Sequence, residues 1–307
     1  MKKAERLLVF LDLTEMDNLM IRYASFLSEL LDTKEVYFLH AFEYDELPDD
    51  MSNVFPGLEE PLDKIIQEEI EEKISKYFSN ENASTYVKLM EGVQITSILK
   101  WAEREHVDLM VVGKKISFKG KGNFAGKIAR LAHSSVMFVT ETSKGVINKI
   151  LVPIDFSKFS ELALKKAVAL AEKTEAKILC QNVYRLPPQY FPYIPVKDEN
   201  LEKIKKQHQD DFKVFMKKIG LSPERISCEC TIDRENNVAD QIYQYAVEQG
   251  VDLIVVGSKG KTDAASFLIG GVAERLISNE KNLPVMIVKD KDQTYGILDS
   301  IMDMKFS

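Results

Sequence analysis

Cysteine is scarce in this chain: three in 307 residues, Cys180, Cys228 and Cys230, with no Cys-x₂-Cys pair. An odd count without metal-like spacing makes a poor disulfide framework and proposes no zinc site. Each thiol is read as a small buried hydrophobe, and a reducing, cytoplasmic setting is expected. Long apolar runs are missing as well. The opening MKKAERLLVFLDL joins a basic start to a short apolar stretch that Asp12 and Glu15 interrupt. It lacks a small-residue cleavage site and falls well short of the roughly 20 residues that span a bilayer. It is read as a buried strand, and no membrane partner is expected. Histidine numbers four, His40, His106, His133 and His208, none beside a nucleophile or at ligand spacing. His40 closes an apolar run, where a packed or solvent-facing ring is expected. No Walker lysine motif, Gly-x-Ser-x-Gly elbow or His-Glu-x-x-His pair occurs, so no catalytic residue is assigned. An excess of basic charge is absent too. The formal net charge of −7 argues against binding nucleic acid through counterion release.

What is present is the composition of a globular protein, 45% hydrophobic and 29% charged, at a length that suits about two domains. Self-similarity then organises the chain. RLLVFLDLTEMD at 6–17 returns as KILVPIDFSKFS at 149–160, pairing Asp12 with Asp155 and Thr14 with Ser157. VDLMVVGKK at 107–115 returns as VDLIVVGSK at 251–259, and SSVMFVTE at 134–141 is answered by LPVMIVKD at 283–290. The expected division is residues 1–143, residues 147–290 and a tail, 291–307, joined around the polar TSKGVIN. In the tail Ile297, Ile301 and Met304 fall at helical spacing.

Within each copy, continuous apolar runs alternate with helical patterns, as in strands buried on both faces of a parallel sheet. Strands are expected at 7–11, 35–41, 84–89, 109–112 and 136–139, and again at 150–154, 177–183, 226–231, 253–256 and 285–288. Between them lie helices such as 160–173, whose Leu162, Ala163, Ala167, Leu170 and Ala171 form an apolar stripe and which Ser157 or Ser160 would cap. The fold class is α/β: two repeated flavodoxin- or Rossmann-like domains, each an open five-stranded parallel sheet with helices on both faces. Ligands in such sheets bind beyond the carboxyl ends of the strands, where the strand order reverses. The second connection of each copy is long and rich in proline and aromatic residues, with Tyr190, Phe191 and Tyr193 in the second copy placed to cover a base, a partner or their own domain.

The stretch GSKGKTDAASFLIGG, 257–271, follows the fourth apolar run of the second copy. Glycines at 257 and 260 would let backbone N–H groups approach an anion. Gly270 and Gly271 precede VAERLIS, a helix whose start presents unpaired N–H groups and the positive end of its dipole. Lys259 and Lys261 would add charge. In the first copy the same spacing falls on Gly113, Ile116, Gly126 and Lys127, with Gly120 and Gly122 inside the spacer. Ile116 adds bulk where a phosphate would approach, and Lys127 would attract an anion or fill the site itself.

The Gly-x₂-Gly-x₉-Gly spacing, the run ILVPIDFS ending around Asp155, and GGVAERLI leading into LPVMIV resemble the universal stress protein family. The duplication resembles its tandem members, over about residues 5–290. The resemblance implies a stress-response module that holds an adenine nucleotide, ATP or AMP, in the C-terminal copy, with magnesium accompanying ATP and at most slow hydrolysis. By position, Pro153, Ile154 and Asp155 would line the adenosine site and Val183 would meet adenine through its backbone. Gly257, Ser258, Lys259, Gly260, Gly270, Gly271 and Val272 would hold ribose and phosphates. This chain departs from the family pattern at Gly271, where Ser or Thr is usual, so one hydroxyl is gone. Losing one hydrogen bond weakens affinity by a decade or two at most. The alternative is a nucleotide-free scaffold that keeps vestigial glycine loops. An intramolecular pseudo-dimer of the two copies through their last strands, with a possible homodimer of chains, is the assembly expected, because edge strands need covering.

Overall fold

The protein was analysed as a computed structural model that describes residues 4–42, 62–92, 94–115, 124–185, 198–222, 226–233, 236–260, 269–278 and 281–290. The chain divides at residues 145 and 146 into two compact units. The first contains β1 (Arg6–Leu11), α1 (Met16–Leu31), β2 (Glu35–Phe42), α2 (Leu62–Tyr77), β3 (Ser84–Glu91), α3 (Ile95–Arg104), β4 (Leu109–Lys114), α4 (Phe124–Leu131) and β5 (Ser135–Thr140). The second repeats the series as β6 (Lys149–Pro153), α5 (Lys158–Thr174), β7 (Lys177–Tyr184), α6 (Asp198–Lys218), β8 (Ser227–Ile232), α7 (Val238–Glu248), β9 (Leu253–Gly257), α8 (Gly271–Leu276) and β10 (Val285–Val288).

The strands of the first unit lie in the order β3-β2-β1-β4-β5 and those of the second in the order β8-β7-β6-β9-β10. Every pairing within a unit is parallel. Parallel neighbours require crossover helices, and these cover the sheet. The central strands are accordingly apolar on both faces: Leu7, Leu8 and Val9, like Ile150, Leu151 and Val152, are fully buried. The outer strands β3 and β8 depart from that pattern and are largely half-exposed. Among the described residues each has a paired neighbour on one side only, so less cover and more polar residues follow.

One aspartate pins the start of each central strand. Asp108 Oδ2 accepts from the backbone N–H of Glu5 at 2.8 Å and of Arg6 at 3.1 Å. Asp252 Oδ2 accepts in the same way from Asn148 at 2.8 Å and Lys149 at 3.0 Å. The order reverses between β1 and β4 in one copy and between β6 and β9 in the other, and that crevice is where such sheets take ligands. The three cysteines stand close together despite their separation in sequence: Cys180 on β7 is in register with Cys228 on β8, and Cys230 follows two residues on. None is disulfide-bonded, and Cys180 and Cys230 are buried.

Candidate functional site

At the reversal point of the second copy, Ile154 follows β6 and remains tied to β7, its N–H donating to the carbonyl of Gln181 at 2.8 Å. Asn182 Nδ2 in turn donates to the Ile154 carbonyl at 2.6 Å. The chain then turns sharply. Asp155 Oδ1 accepts from the Ser157 N–H at 3.0 Å, and Phe156 between them takes the left-handed conformation, φ 62°. Ser157 caps α5, its side chain accepting from the Ser160 N–H at 3.2 Å. These local bonds fix where the Asp155 carboxylate stands.

Val183 lies on the neighbouring strand β7. Parallel ladders alternate sides residue by residue: Gln181 faces β6 through its carbonyl, whereas Tyr184 accepts from Asp233 N–H on the side of β8. Val183 therefore directs its backbone polar groups toward the side of β6, one step beyond the last registered pair, Pro153 with Gln181. A ligand there would meet backbone edges of the kind a purine reads.

The glycine stretch has a more divided role than its spacing suggests. Gly257 ends β9 in register with Val288, and a Cβ there would stand 2.7 Å from the Phe159 carbonyl oxygen and 2.8 Å from the Phe159 Cβ. The first turn of α5 needs that space, so this glycine serves packing. Ser258 is buried and acts as a strut: its N–H donates to Val288 at 2.9 Å and its carbonyl accepts from Gly270 N–H at 2.8 Å. The Gly270 amide, expected to face an anion, is thus engaged inside the fold. Gly270 is instead the N-cap of α8, and the first intrahelical bond runs from Glu274 N–H to its carbonyl. The amides of Gly271, half-buried Val272 and Ala273 precede that bond and are the donors this helix start offers. Gly260 does meet Asp155, a Cβ at 260 standing 3.1 Å from Asp155 Oδ2, while one at Gly271 would meet nothing within 4 Å. Lys259 Nζ lies 5.5 Å from the centre of the Phe159 ring. Lys261, Tyr190, Phe191, Tyr193 and the tail 291–307 lie outside the described residues.

The first copy keeps the frame and changes the site. Leu13 takes the same left-handed turn, φ 59°, and His40 replaces Asn182, donating from Nδ1 to the Leu11 carbonyl at 3.1 Å. Of the two states expected for it, packed or solvent-facing, the ring takes the packed one, buried and stacked on Phe42. Asp12, about half exposed, is ion-paired. Lys115 Nζ lies 2.6 Å from Asp12 Oδ2 and 2.6 Å from Thr14 Oγ1, and Thr14 Oγ1 donates to Asp12 Oδ1 at 2.5 Å. Burial pushes the Asp12 carboxyl up, but the hydrogen bonds from Lys115 and Thr14 outweigh it and hold the carboxyl below its usual value. Lys127 is exposed on α4 and fills nothing, and Gly126 is buried within that helix instead of capping it. Ile116, Gly120 and Gly122 lie outside the described residues. The sequence reading missed Lys115, although its signal was the lysine at the same place in both copies, 115 and 259.

Among the described residues no group of three or more His, Cys, Asp or Glu would hold a metal ion, and no helix is long and apolar enough to cross a membrane. The universal stress protein family model matches the chain twice, over residues 3–140 and 147–289. The chain belongs to the universal stress protein family. A universal stress protein of Methanocaldococcus jannaschii is 30% identical over 156 residues, 47% of this chain and 96% of that protein. One from Bacillus subtilis is 29% identical over 149 residues, 47% of this chain and all of that protein. Each of these relatives has about the length of one copy. The solved structure of a universal stress protein from Archaeoglobus fulgidus superimposes with a TM-score of 0.63 at 19% identity, covering 93% of this chain and 98% of that one. A putative universal stress protein from Pseudomonas aeruginosa gives 0.65 at 16% identity, covering 97% and 98%. At such identities these structures show the shared fold.

Proposed function

We propose that the C-terminal copy binds an adenine nucleotide, ATP or AMP, and that the N-terminal copy does not. The reading is carried by the Asp155 carboxylate standing against Gly260 where the strand order of the second copy reverses, while the equivalent Asp12 is ion-paired with Lys115. Asp155 would accept from a ribose hydroxyl, Val183 would read the base through its backbone, and the Gly271 and Val272 amides would meet the phosphates. The cradle fits, because Gly260 is where a Cβ would crowd Asp155 and Gly271 borders open space. Magnesium would arrive with the phosphates, with Asp155 the carboxylate at hand, since such ions keep several waters and need few protein ligands.

Occupancy by nucleotide would bias the surface offered to a partner, provided the two states bind nucleotide unequally. Unpaired cysteines suit the reducing cytoplasm in which such a module would act. A nucleotide-free scaffold is the competing reading, favoured by the engaged Gly270 amide and the missing hydroxyl at Gly271. The test is to denature purified protein, identify any nucleotide released, and record melting with millimolar ATP and magnesium. The proposal expects at most one nucleotide per chain and a higher melting temperature, because a ligand of the native state stabilises it. No release and no shift would leave the scaffold.

A further inference from the structure

In the first unit a cavity of about 380 Å³ opens between α1 and the end of α2, and neither Asp12 nor Lys115 lines it. That volume is in the range of pockets that take small molecules. Its two ends differ in charge. At one end the Tyr77 ring carries two cations, Arg22 Cζ at 4.8 Å and Lys76 Nζ at 5.2 Å from its centre, both within the attractive range of an aromatic face. Among the described residues neither cation has a carboxylate within ion-pair distance. Glu72 precedes Lys76 by four residues, a spacing at which helical ion pairs form, yet the ammonium leans on the ring. About 10 Å along α1 from Arg22, seven residues on at the helical rise, the cavity reaches Glu29. There Ser79 Oγ donates to Glu29 Oε1 at 3.4 Å and stands 3.0 Å from the buried Ser25 Oγ, which accepts from the Ser79 N–H at 2.9 Å. Phe26, half-buried, lines the stretch between the two ends. The second copy differs at each of these places on its equivalent helix. Lys165 stands for Arg22 and is ion-paired with Glu161 at 2.6 Å; the first copy has Asn18 where the second has Glu161, and Asn18 bonds to Glu15 instead. Ser25 and Phe26 correspond to Val168 and Ala169.

We propose that this cavity binds a phosphate monoester of a sugar or polyol, with the phosphate held by Arg22 and Lys76 and the hydroxyls met by Glu29 and Ser79. A phosphate monoester carries about −1.5 to −2 charges at pH 7, which two cations match and a single carboxylate does not. The guanidinium offers a planar fork and the ammonium a point charge, and both suit phosphate oxygens. The Glu29 carboxylate repels an anion, which places the phosphate at the Arg22 end. At its own end Glu29 accepts from sugar hydroxyls, and Phe26 gives the ring carbons an apolar face. The site is independent of the nucleotide reading, whose residues all lie in the second unit.

The experiment titrates the full chain by calorimetry at low salt with glucose 6-phosphate, glucose, inorganic phosphate and citrate. One saturable glucose 6-phosphate site per chain is expected, with weaker binding of inorganic phosphate and none of glucose. Arg22→Gln and Lys76→Gln are each expected to weaken glucose 6-phosphate about tenfold, the scale of one charge-assisted hydrogen bond. Both side chains are exposed, so neither substitution disturbs the core. Tyr77→Phe keeps the ring beneath the two cations and keeps the affinity. Glu29→Ala is expected to weaken glucose 6-phosphate about fivefold without weakening inorganic phosphate, which separates the hydroxyl contacts from the charge. Lys165→Gln, at the equivalent place in the second copy, leaves the affinity unchanged. The proposal is overturned by no saturable glucose 6-phosphate binding at millimolar concentration, by unchanged affinity in Arg22→Gln and Lys76→Gln, or by inorganic phosphate or citrate binding as tightly as glucose 6-phosphate.

Discussion

Gly257 and Gly260 look alike in the sequence and do different work. A Cβ at 257 would collide with the backbone of Phe159, atoms that no rotamer change can move aside, while one at 260 would press on the end of a side chain, Asp155 Oδ2. Gly257→Ala is therefore expected to destabilise the protein by about 1–3 kcal/mol, the range for overpacked interiors, in urea denaturation. Gly260→Ala is expected to leave the midpoint nearly unchanged and to weaken ATP binding. The Asp12–Lys115 pair makes a prediction about pH. The folded pKa of Asp12 lies below the ordinary carboxylate value of 3.8, so the stabilisation is present above about pH 4 and is lost as pH falls through the folded value. Asp12 is half-exposed, which limits the pair to about 0.5–1 kcal/mol. Lys115→Met should lower stability by that amount at pH 7, and the difference from the parent should shrink toward pH 3. The glycine spacing of 257–271 was legible in the sequence, but the partner of each glycine was not. Phe159 lies 98 positions before Gly257, and only folding brings them into contact.

The helix that follows each central strand shows how one element is started in two ways. α5 begins at Ser157, whose hydroxyl takes the Ser160 amide. α1 has Glu15 at the corresponding boundary with no side-chain cap bond, and the turn before it is held by Asp17 Oδ1, which accepts from the Asp12 N–H at 3.0 Å. Ser157→Ala should destabilise the second unit by about 1 kcal/mol, the usual value of an N-cap, measured by thermal or chemical denaturation. The ten strands were legible because buried parallel strands write continuous apolar runs, and β10 at Val285–Val288 coincides with its expected span. Their ends were less so: β3 continues to Glu91 and β4 to Lys114, past the last apolar residues. Backbone pairing with a neighbour carries a strand on after its side chains turn polar.

For the molecule as a whole, duplication gives two frames with separable fates, and a nucleotide count of at most one per chain is the expected sign of it. Proton linkage offers a further handle. Burial, with a smaller contribution from Lys259, lowers the Lys289 amine to about 7 from its ordinary value of 10.5. Between those values the unfolded chain holds a proton that the folded chain has released, so this group makes stability rise with pH from about 7 to about 10.5. Lys289→Met should flatten that rise, and a series of denaturation curves from pH 6 to pH 10 reads it directly. Neither the buried lysine nor the ion-paired aspartate announces itself in composition, because each depends on neighbours brought from distant segments.

The clamp from Asp108 to the amides of Glu5 and Arg6, 103 and 102 residues away, bears on how the polypeptide reaches its native state. The first central strand cannot find its inner neighbour until roughly a hundred further residues have been synthesised, and the repeat imposes the same wait once more. Sequence-distant pairing of this kind slows the search for native contacts. Refolding from denaturant should therefore be slow beside helical proteins of equal length, with the half-built sheets exposed to aggregation meanwhile.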